Sequence, residues 1–111
     1  MKDITFFEVK PWEKVYLKKK LNNYNLKFFK EPLDKNNILL AKDSDIISTF
    51  IYSKVDKSLI NNLPKLRLLA TRSTGFDHIN LQECKSRDII ICNVPYYGEN
   101  TVAEHTFALI L

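Results

Sequence analysis

Glycine is almost missing from this sequence, which has only Gly75 and Gly98 among its 111 residues. A dinucleotide-binding loop needs three glycines at G-x-G-x-x-G spacing, and a P-loop needs two glycines five residues apart before its lysine, whereas Gly75 and Gly98 are 23 residues apart. The chain therefore contains neither motif, and we expect no cofactor-binding residues within it.

Cysteine and long apolar runs are also scarce. Cys84 and Cys92 lack C-x-x-C spacing and have no histidine at ligand spacing, so we interpret both as inert buried thiols in a reducing compartment, and we expect no metal site. No apolar run approaches the roughly 18 residues of a membrane-spanning helix. The opening MKDITFF carries an acidic residue in a very short apolar stretch, unlike a signal peptide. We expect a cytoplasmic protein without a membrane partner.

The charge balance does not by itself indicate a nucleic-acid-binding protein. Apolar residues make up 45% and charged residues 27% of the chain, as in ordinary globular domains. The net charge is +4, but the charges of both signs are mixed along the sequence. The one dense basic run, residues 17–21, is interpreted as the solvent-facing side of a helix, with a phosphate-binding patch as the alternative. No nucleic-acid partner is expected.

Five short apolar runs recur at intervals of about twenty residues and predict strands. Most are rich in β-branched or aromatic residues, and several are continuous instead of alternating, which is typical of a parallel sheet buried on both faces. The runs are residues 4–9, 26–29, 45–51, 66–71 and 88–94.

The segments between these runs carry helix signals. Pro11 suits a first helical turn. Asp34 and Asp56 are placed to cap helices, and Asn80 and Glu83 have the spacing of a capping box. Strands and helices therefore alternate, which predicts an α/β fold with an open parallel sheet and helices on both faces.

Three loops are predicted to follow the carboxyl ends of strands, where open parallel sheets bind ligands. They are FIYSK after the third strand, RSTGFDH after the fourth and PYYGEN after the fifth. Gly75 permits a turn with positive φ, and successive backbone N–H groups in such a turn can bind an anion. Ser73, Thr74 and Gly75, with Arg72 beside them, are therefore a candidate carboxylate cradle. The alternative is a glycine turn with a surface arginine.

The two histidines have simpler explanations than catalysis. His78 directly follows the glycine turn and either lines the site or is a surface turn residue. His105 follows Glu104, but adjacent helical residues do not face each other, so we interpret His105 as a packing or capping residue. The helix predicted near the end, ENTVAEHTFALIL, stops within an apolar stripe. We expect that the chain is a piece of a longer protein, the alternative being a helix that docks on a partner.

Two stretches resemble the D-isomer-specific 2-hydroxyacid dehydrogenases, in particular their D-lactate dehydrogenase branch. They are LPKLRLLATRSTGFDHINL and DIIICNVPYYGENTVAEHTFALIL, which together span residues 63–111. The first 62 residues fit only in the order of their strands and helices. The resemblance implies a flavodoxin-like substrate (catalytic) domain over residues 1–98. Residues 99–111 then begin a helix that crosses to a Rossmann domain, which binds NAD.

The resemblance also implies a substrate site. The backbone amides of Thr74 and Gly75 would hold the substrate carboxylate, Tyr97 would approach the substrate, and Phe50 would line the pocket. Arg72 and Ser73 remain additional substrate-binding candidates from the loop itself.

In this family the catalytic arginine, the glutamate–histidine pair and the NAD loop lie downstream of Leu111, so no catalytic residue is expected within the chain. Arg72 and His105 are not assigned to those roles.

The function implied is hydride transfer between NAD(H) and a small 2-oxo or 2-hydroxy acid, such as pyruvate or D-lactate, by a homodimeric oxidoreductase. The 111-residue chain would bind the substrate carboxylate but be inactive alone. Two alternatives stay open, namely an NAD-regulated corepressor of the same architecture and a stand-alone flavodoxin-like binding module.

Overall fold

The computed structural model describes residues 2–73, 75 and 77–93. The five predicted strands are confirmed with different bounds, since β1 and β2 each begin one residue before the apolar run, and β3, β4 and β5 are shorter than their runs. They are β1 (Asp3–Phe6), β2 (Asn25–Phe28), β3 (Ile46–Thr49), β4 (Leu68–Thr71) and β5 (Ile90–Cys92).

The strands form one parallel sheet in the order β2-β1-β3-β4-β5. This is the flavodoxin-like order, and the predicted fold class is confirmed. From β1 the chain adds β2 on one side, and from β3 it adds β4 and β5 on the other side. The connections that follow β1 and β3 therefore pass over opposite faces of the sheet. We call the carboxyl ends of β1 and β3, where sheets of this kind bind their ligands, the crevice.

Two of the predicted helix caps are confirmed. Helix α1 spans Pro11–Lys20, α2 spans Lys57–Asn61 and α3 spans Leu81–Ser86. The Asp56 carboxylate accepts the Leu59 N–H at 2.9 Å, and the Asn80 side chain accepts the Glu83 N–H at 3.0 Å. No helix in the described part of the chain has the length and apolarity needed to cross a membrane.

The prediction of an α-helix after Asp34 is wrong, because the structure has a local turn and a 3₁₀ turn there. The Asp34 carboxylate accepts the N–H groups of Asn36 and Asn37, at 2.8 and 3.1 Å, and so closes a local turn. The chain continues as a 3₁₀ turn, Ile38–Ala41. Only the two ends of this turn are buried, a spacing of three residues that matches the 3₁₀ period.

The core has two layers, one on each side of the sheet, because successive strand residues point to opposite faces. Ile46 packs in the layer under α1, whereas its neighbour Ile47 packs in the layer under α2 and α3. Leu17 is buried in the first layer, and the three lysines that follow it are exposed, as expected of a solvent-facing helix side. Helices therefore cover both faces of the sheet, as predicted.

We predict that Asp56→Ala lowers the free energy of unfolding by about 1 kcal/mol, because it removes the side-chain partner of an otherwise unpaired helix N–H. Urea denaturation of the chain measures this. Asp43→Ala is the matched control, since Asp43 is exposed and lies outside the helices. Equal unfolding free energies for the two variants would contradict the capping role.

Candidate functional site

The carboxyl ends of β1, β3 and β4 meet around one buried side chain, that of Arg72, which is 2% exposed. Its Nη1 donates to Ser48 Oγ at 2.8 Å. Its Nη2 donates to the carbonyl oxygens of Phe7 at 2.6 Å and Glu8 at 2.8 Å. Its Nε lies 3.5 Å from Glu13 Oε2, at the start of α1. One guanidinium thus joins the ends of two strands and a helix.

This geometry decides part of the sequence interpretation of Arg72. The alternative of a surface arginine is wrong, because the side chain is buried. Burial lowers the pKa of the Arg72 guanidinium, while the carboxylates of Glu13 and Glu8 act in the opposite direction. Arginine remains protonated in proteins, so a fixed positive charge lies at the crevice. Direct contact between Arg72 and a substrate stays a prediction.

Glu8 connects the end of β1 to the loop after β3. Its carboxylate accepts the N–H groups of Phe50, Tyr52 and Ser53 at 2.8, 2.9 and 3.1 Å, and the Ser53 hydroxyl at 2.6 Å. Its backbone has φ of 60°, in the left-handed region that side-chain-bearing residues rarely adopt. Such strain costs on the order of 1–3 kcal/mol and persists where surrounding contacts enforce it. Here four hydrogen bonds to a charged group do so.

The turn after β4 is held by hydroxyl groups. Ser73 Oγ lies 2.6 Å from Thr71 Oγ1 and donates to the Gly75 carbonyl oxygen at 3.0 Å. Thr71 Oγ1 in turn lies 3.1 Å from His78 Nε2. Thr71 and Ser73 are buried, and His78 is half-buried. The interpretation of His78 as a plain surface residue therefore gives way to one in which its ring supports the turn.

The backbone of Gly75 differs from the expectation. Its φ is not positive, so the conformational reason given for a glycine here is wrong. A Cβ built on Gly75 would meet no heavy atom within 4 Å among the described residues. The residue is exposed, and open space adjoins it.

The structure brings four of the six predicted substrate-binding residues to the same end of the sheet. Phe50 directly follows β3 and is half-buried. The other three follow β4, namely Arg72, Ser73 and Gly75. Thr74 and Tyr97 lie outside the described residues, as do His105 and the boundary expected between residues 98 and 99.

Sequence reasoning missed four residues that organise this site, Glu8, Glu13, Ser48 and Thr71. Two of them had a signal. Ser48 is a polar residue within an apolar run that was predicted to be buried on both faces, and Glu8 is an acid at the end of another. Polar residues in such places need partners. Among the described residues, no group of three or more His, Cys, Asp or Glu side chains is placed to hold a metal ion.

The model of the D-isomer-specific 2-hydroxyacid dehydrogenase catalytic domain matches residues 4–108 of the chain. The chain belongs to this family. A 2-hydroxyacid dehydrogenase homolog of Schizosaccharomyces pombe is 31% identical over 97% of the chain and 34% of its own length. D-lactate dehydrogenase of Staphylococcus aureus is 30% identical over the whole chain and 35% of its own length. Glyoxylate reductase of Thermococcus litoralis is 34% identical over 79% of the chain and 28% of its own length.

The fold of this family member matches solved structures of the same group. D-lactate dehydrogenase from Aquifex aeolicus, complexed with NAD and lactic acid, superposes with a TM-score of 0.80 and 36% identity. That comparison covers 96% of this chain and 32% of the other. The chain thus spans about a third of the length of the relatives it matches. The resemblance stated from sequence is confirmed.

We predict that Arg72→Met lowers the free energy of unfolding by about 3–5 kcal/mol, because it removes the cation beside the buried Glu13 carboxylate and the donor shared by the Phe7 and Glu8 carbonyl groups. Arg67→Met is the matched control, since Arg67 is exposed and lies just before β4. Chemical denaturation followed by circular dichroism measures both. A cost below about 1 kcal/mol for Arg72→Met, the level of a surface ion pair, would contradict the organising role.

We predict a pH dependence of stability that originates at His78. Burial lowers the pKa of His78, and the nearby carboxylates of Glu8 and Asp77 act in the opposite direction. The folded state therefore favours the neutral ring. The corresponding stability is present above the unfolded-state pKa of about 6.5 and is lost as the pH falls below it towards the folded-state pKa.

His78→Gln should remove this loss on acidification, whereas His105→Gln should leave the His78 contribution in place. Unfolding free energies measured from about pH 7.5 to about pH 5.5, above most carboxyl titrations, test this. Identical pH profiles for wild type and His78→Gln would contradict the prediction.

Proposed function

We propose that this chain is the substrate-binding portion of an NAD-dependent D-2-hydroxyacid dehydrogenase. Such an enzyme transfers a hydride between nicotinamide and the second carbon of a small 2-oxo or 2-hydroxy acid. The observation that carries the proposal is the Ser73–Gly75 turn, which lies at the carboxyl end of β4 beside the fixed charge of Arg72. The family membership of the chain supports the same reaction class.

The turn is suited to a carboxylate. In this proposal the backbone amides of Thr74 and Gly75 bind the two carboxylate oxygens, each bond contributing about 1.5–3 kcal/mol. The open space at Gly75 admits the ligand close to the backbone. The positive charge of Arg72 adds favourable electrostatics, and Phe50 provides an apolar wall. Tyr97 completes the site from the segment after β5.

The proposed substrate is a small monocarboxylic 2-oxo acid, such as pyruvate or glyoxylate. Relatives named as D-lactate dehydrogenase and glyoxylate reductase support this size and chemistry.

The chain's own residues do not fit a dinucleotide. With two glycines the sequence cannot form a G-x-G-x-x-G loop, and in the described part the charge of Arg72 is already engaged by protein groups. We therefore propose that NAD and the acid–base residues are supplied downstream of Leu111, by a Rossmann domain reached through a helix that begins within residues 99–111. A cytoplasmic homodimer is part of the same proposal.

The test is an assay of the complete reading frame that encodes this chain, with NADH and either pyruvate or glyoxylate. The longer protein should oxidise NADH in the presence of the 2-oxo acid, and the 111-residue chain should not. NAD binding without turnover would favour the corepressor-type alternative. A reading frame that stops after Leu111, with no turnover, would favour the stand-alone binding module and overturn the proposal.

We predict that Gly75→Ala and Gly75→Val separate folding from ligand binding. Because φ at Gly75 is not positive and the Cβ space is open, alanine should leave stability unchanged or raise it by about 0.4–1 kcal/mol. In the complete enzyme, both variants should raise KM for the 2-oxo acid by about tenfold or more, as loss of one hydrogen bond to a charged group implies. The affinity for NADH should not change.

Tyr97→Phe is the milder comparison, since it removes one hydroxyl and keeps the ring. If Gly75→Val folds normally and keeps the wild-type kcat/KM, the carboxylate cradle is assigned to the wrong turn.

A further inference from the structure

A continuous set of hydrogen bonds runs beneath the glycine turn and begins at His78. It passes from His78 Nε2 to Thr71 Oγ1, then to Ser73 Oγ, and ends on the Gly75 carbonyl oxygen, with separations of 3.1, 2.6 and 3.0 Å. Thr71 is fully buried and Ser73 is 1% exposed, so neither hydroxyl has ready access to water as a substitute partner. We call this set the His78 relay.

The last acceptor fixes the direction of every bond in the relay. A carbonyl oxygen only accepts, so the single Ser73 hydroxyl hydrogen is used on Gly75. Ser73 Oγ must then accept the Thr71 hydroxyl hydrogen. Thr71 has no second hydrogen, so His78 must donate from Nε2. The neutral ring that its lowered pKa favours is therefore the tautomer with its hydrogen on Nε2.

The backbone holds His78 in place for this role. The Val55 N–H donates to the His78 carbonyl oxygen at 2.7 Å, and the Asn80 N–H donates to the Val55 carbonyl oxygen at 2.8 Å. These two bonds flank the parallel bridge between Val55 and Ile79, both of which are buried. The donor end of the relay is thus attached to the packed core and not to a free loop.

The acceptor end of the relay needs such support. Gly75 is exposed and lacks a side chain, so its own contacts restrict its backbone little. The hydrogen bond from Ser73 Oγ to the Gly75 carbonyl oxygen closes a ring that includes the backbone N–H groups of Thr74 and Gly75, and it therefore restricts the backbone rotations within that ring. A turn fixed in this way presents its backbone groups in one arrangement before a ligand arrives.

We propose that His78 is a positioning residue for the carboxylate cradle, acting through Thr71 and Ser73 on Gly75. This inference rests on the proposed function. The role is positioning and not proton transfer, because the relay ends on a carbonyl oxygen that cannot pass a proton on. Rigid placement of a binding group before the ligand arrives strengthens binding by lowering the cost of ordering.

The first test needs no turnover. Long-range ¹H–¹⁵N correlation spectra of the histidine rings at neutral pH distinguish the two neutral tautomers, and His78→Gln assigns the signals, since the chain has two histidines. The hydrogen of His78 should be on Nε2. A ring with its hydrogen on Nδ1 would overturn the relay.

The second test measures substrate kinetics in the complete enzyme with pyruvate as the probe. Thr71→Val should raise KM by about five- to tenfold, the effect of one lost hydrogen bond, while kcat changes by less than about twofold. Thr49→Val is the matched control. Thr49 pairs in register with Thr71 on the next strand, is equally buried, and its hydroxyl has no hydrogen-bond partner among the described residues.

Thr71→Val could raise KM by disturbing the fold, so substitutions at the half-buried His78 provide a second test. His78→Leu should raise KM as Thr71→Val does, and His78→Gln should restore most of the loss, because a glutamine amide can donate in place of Nε2. Unchanged KM for both Thr71→Val and His78→Leu, in an enzyme that turns over pyruvate, would overturn the positioning role and leave the proposed function standing. Absence of turnover with any 2-oxo acid would overturn the proposed function and the positioning role with it, while the tautomer measurement would still decide whether the relay exists.

Discussion

The burial of one guanidinium determines how this end of the sheet is built. Taking a charge out of water costs several kcal/mol unless partners compensate it, and Arg72 has a carboxylate, a hydroxyl and two carbonyl groups around it. Those partners belong to β1, β3 and α1. None of these elements can move away from the crevice without exposing an unpaired group, so their relative positions follow from the need to satisfy Arg72.

Glu8 extends the same constraint to the loop after β3. Its carbonyl oxygen is held by Arg72, while its carboxylate holds the N–H groups of Phe50, Tyr52 and Ser53. With its strained backbone, Glu8 contacts Arg72 through its carbonyl oxygen and the loop after β3 through its carboxylate. With the His78 relay beneath the loop after β4, the loops after β1, β3 and β4 are all tied to the sheet. A small carboxylate would therefore meet a surface that is already ordered.

The sequence was sufficient to predict the fold and to place Phe50, Arg72, Ser73 and Gly75 at one end of the sheet, because both depend on local signals. Apolar runs specify strands, and Asp56 and Asn80 need only a partner three residues away. The conformation of Gly75 was wrongly predicted because it depends on Ser73 and the residues behind it, which composition does not reveal. The partners of Arg72 could not be predicted from local sequence, because Phe7 and Glu8 lie 65 and 64 residues away along the chain.

That separation also orders the assembly of the molecule. The carbonyl groups at the end of β1 are made early in synthesis, but the guanidinium that satisfies them arrives only when β4 has been made and paired. Until then, hydration of this end of β1 is favoured, because packing β1, β2 and β3 together would bury the Phe7 and Glu8 carbonyl oxygens without a hydrogen-bond donor. Because the groups around Arg72 come from distant parts of the chain, we expect the carboxyl ends of β1 and β3 to become buried only after β4 has paired.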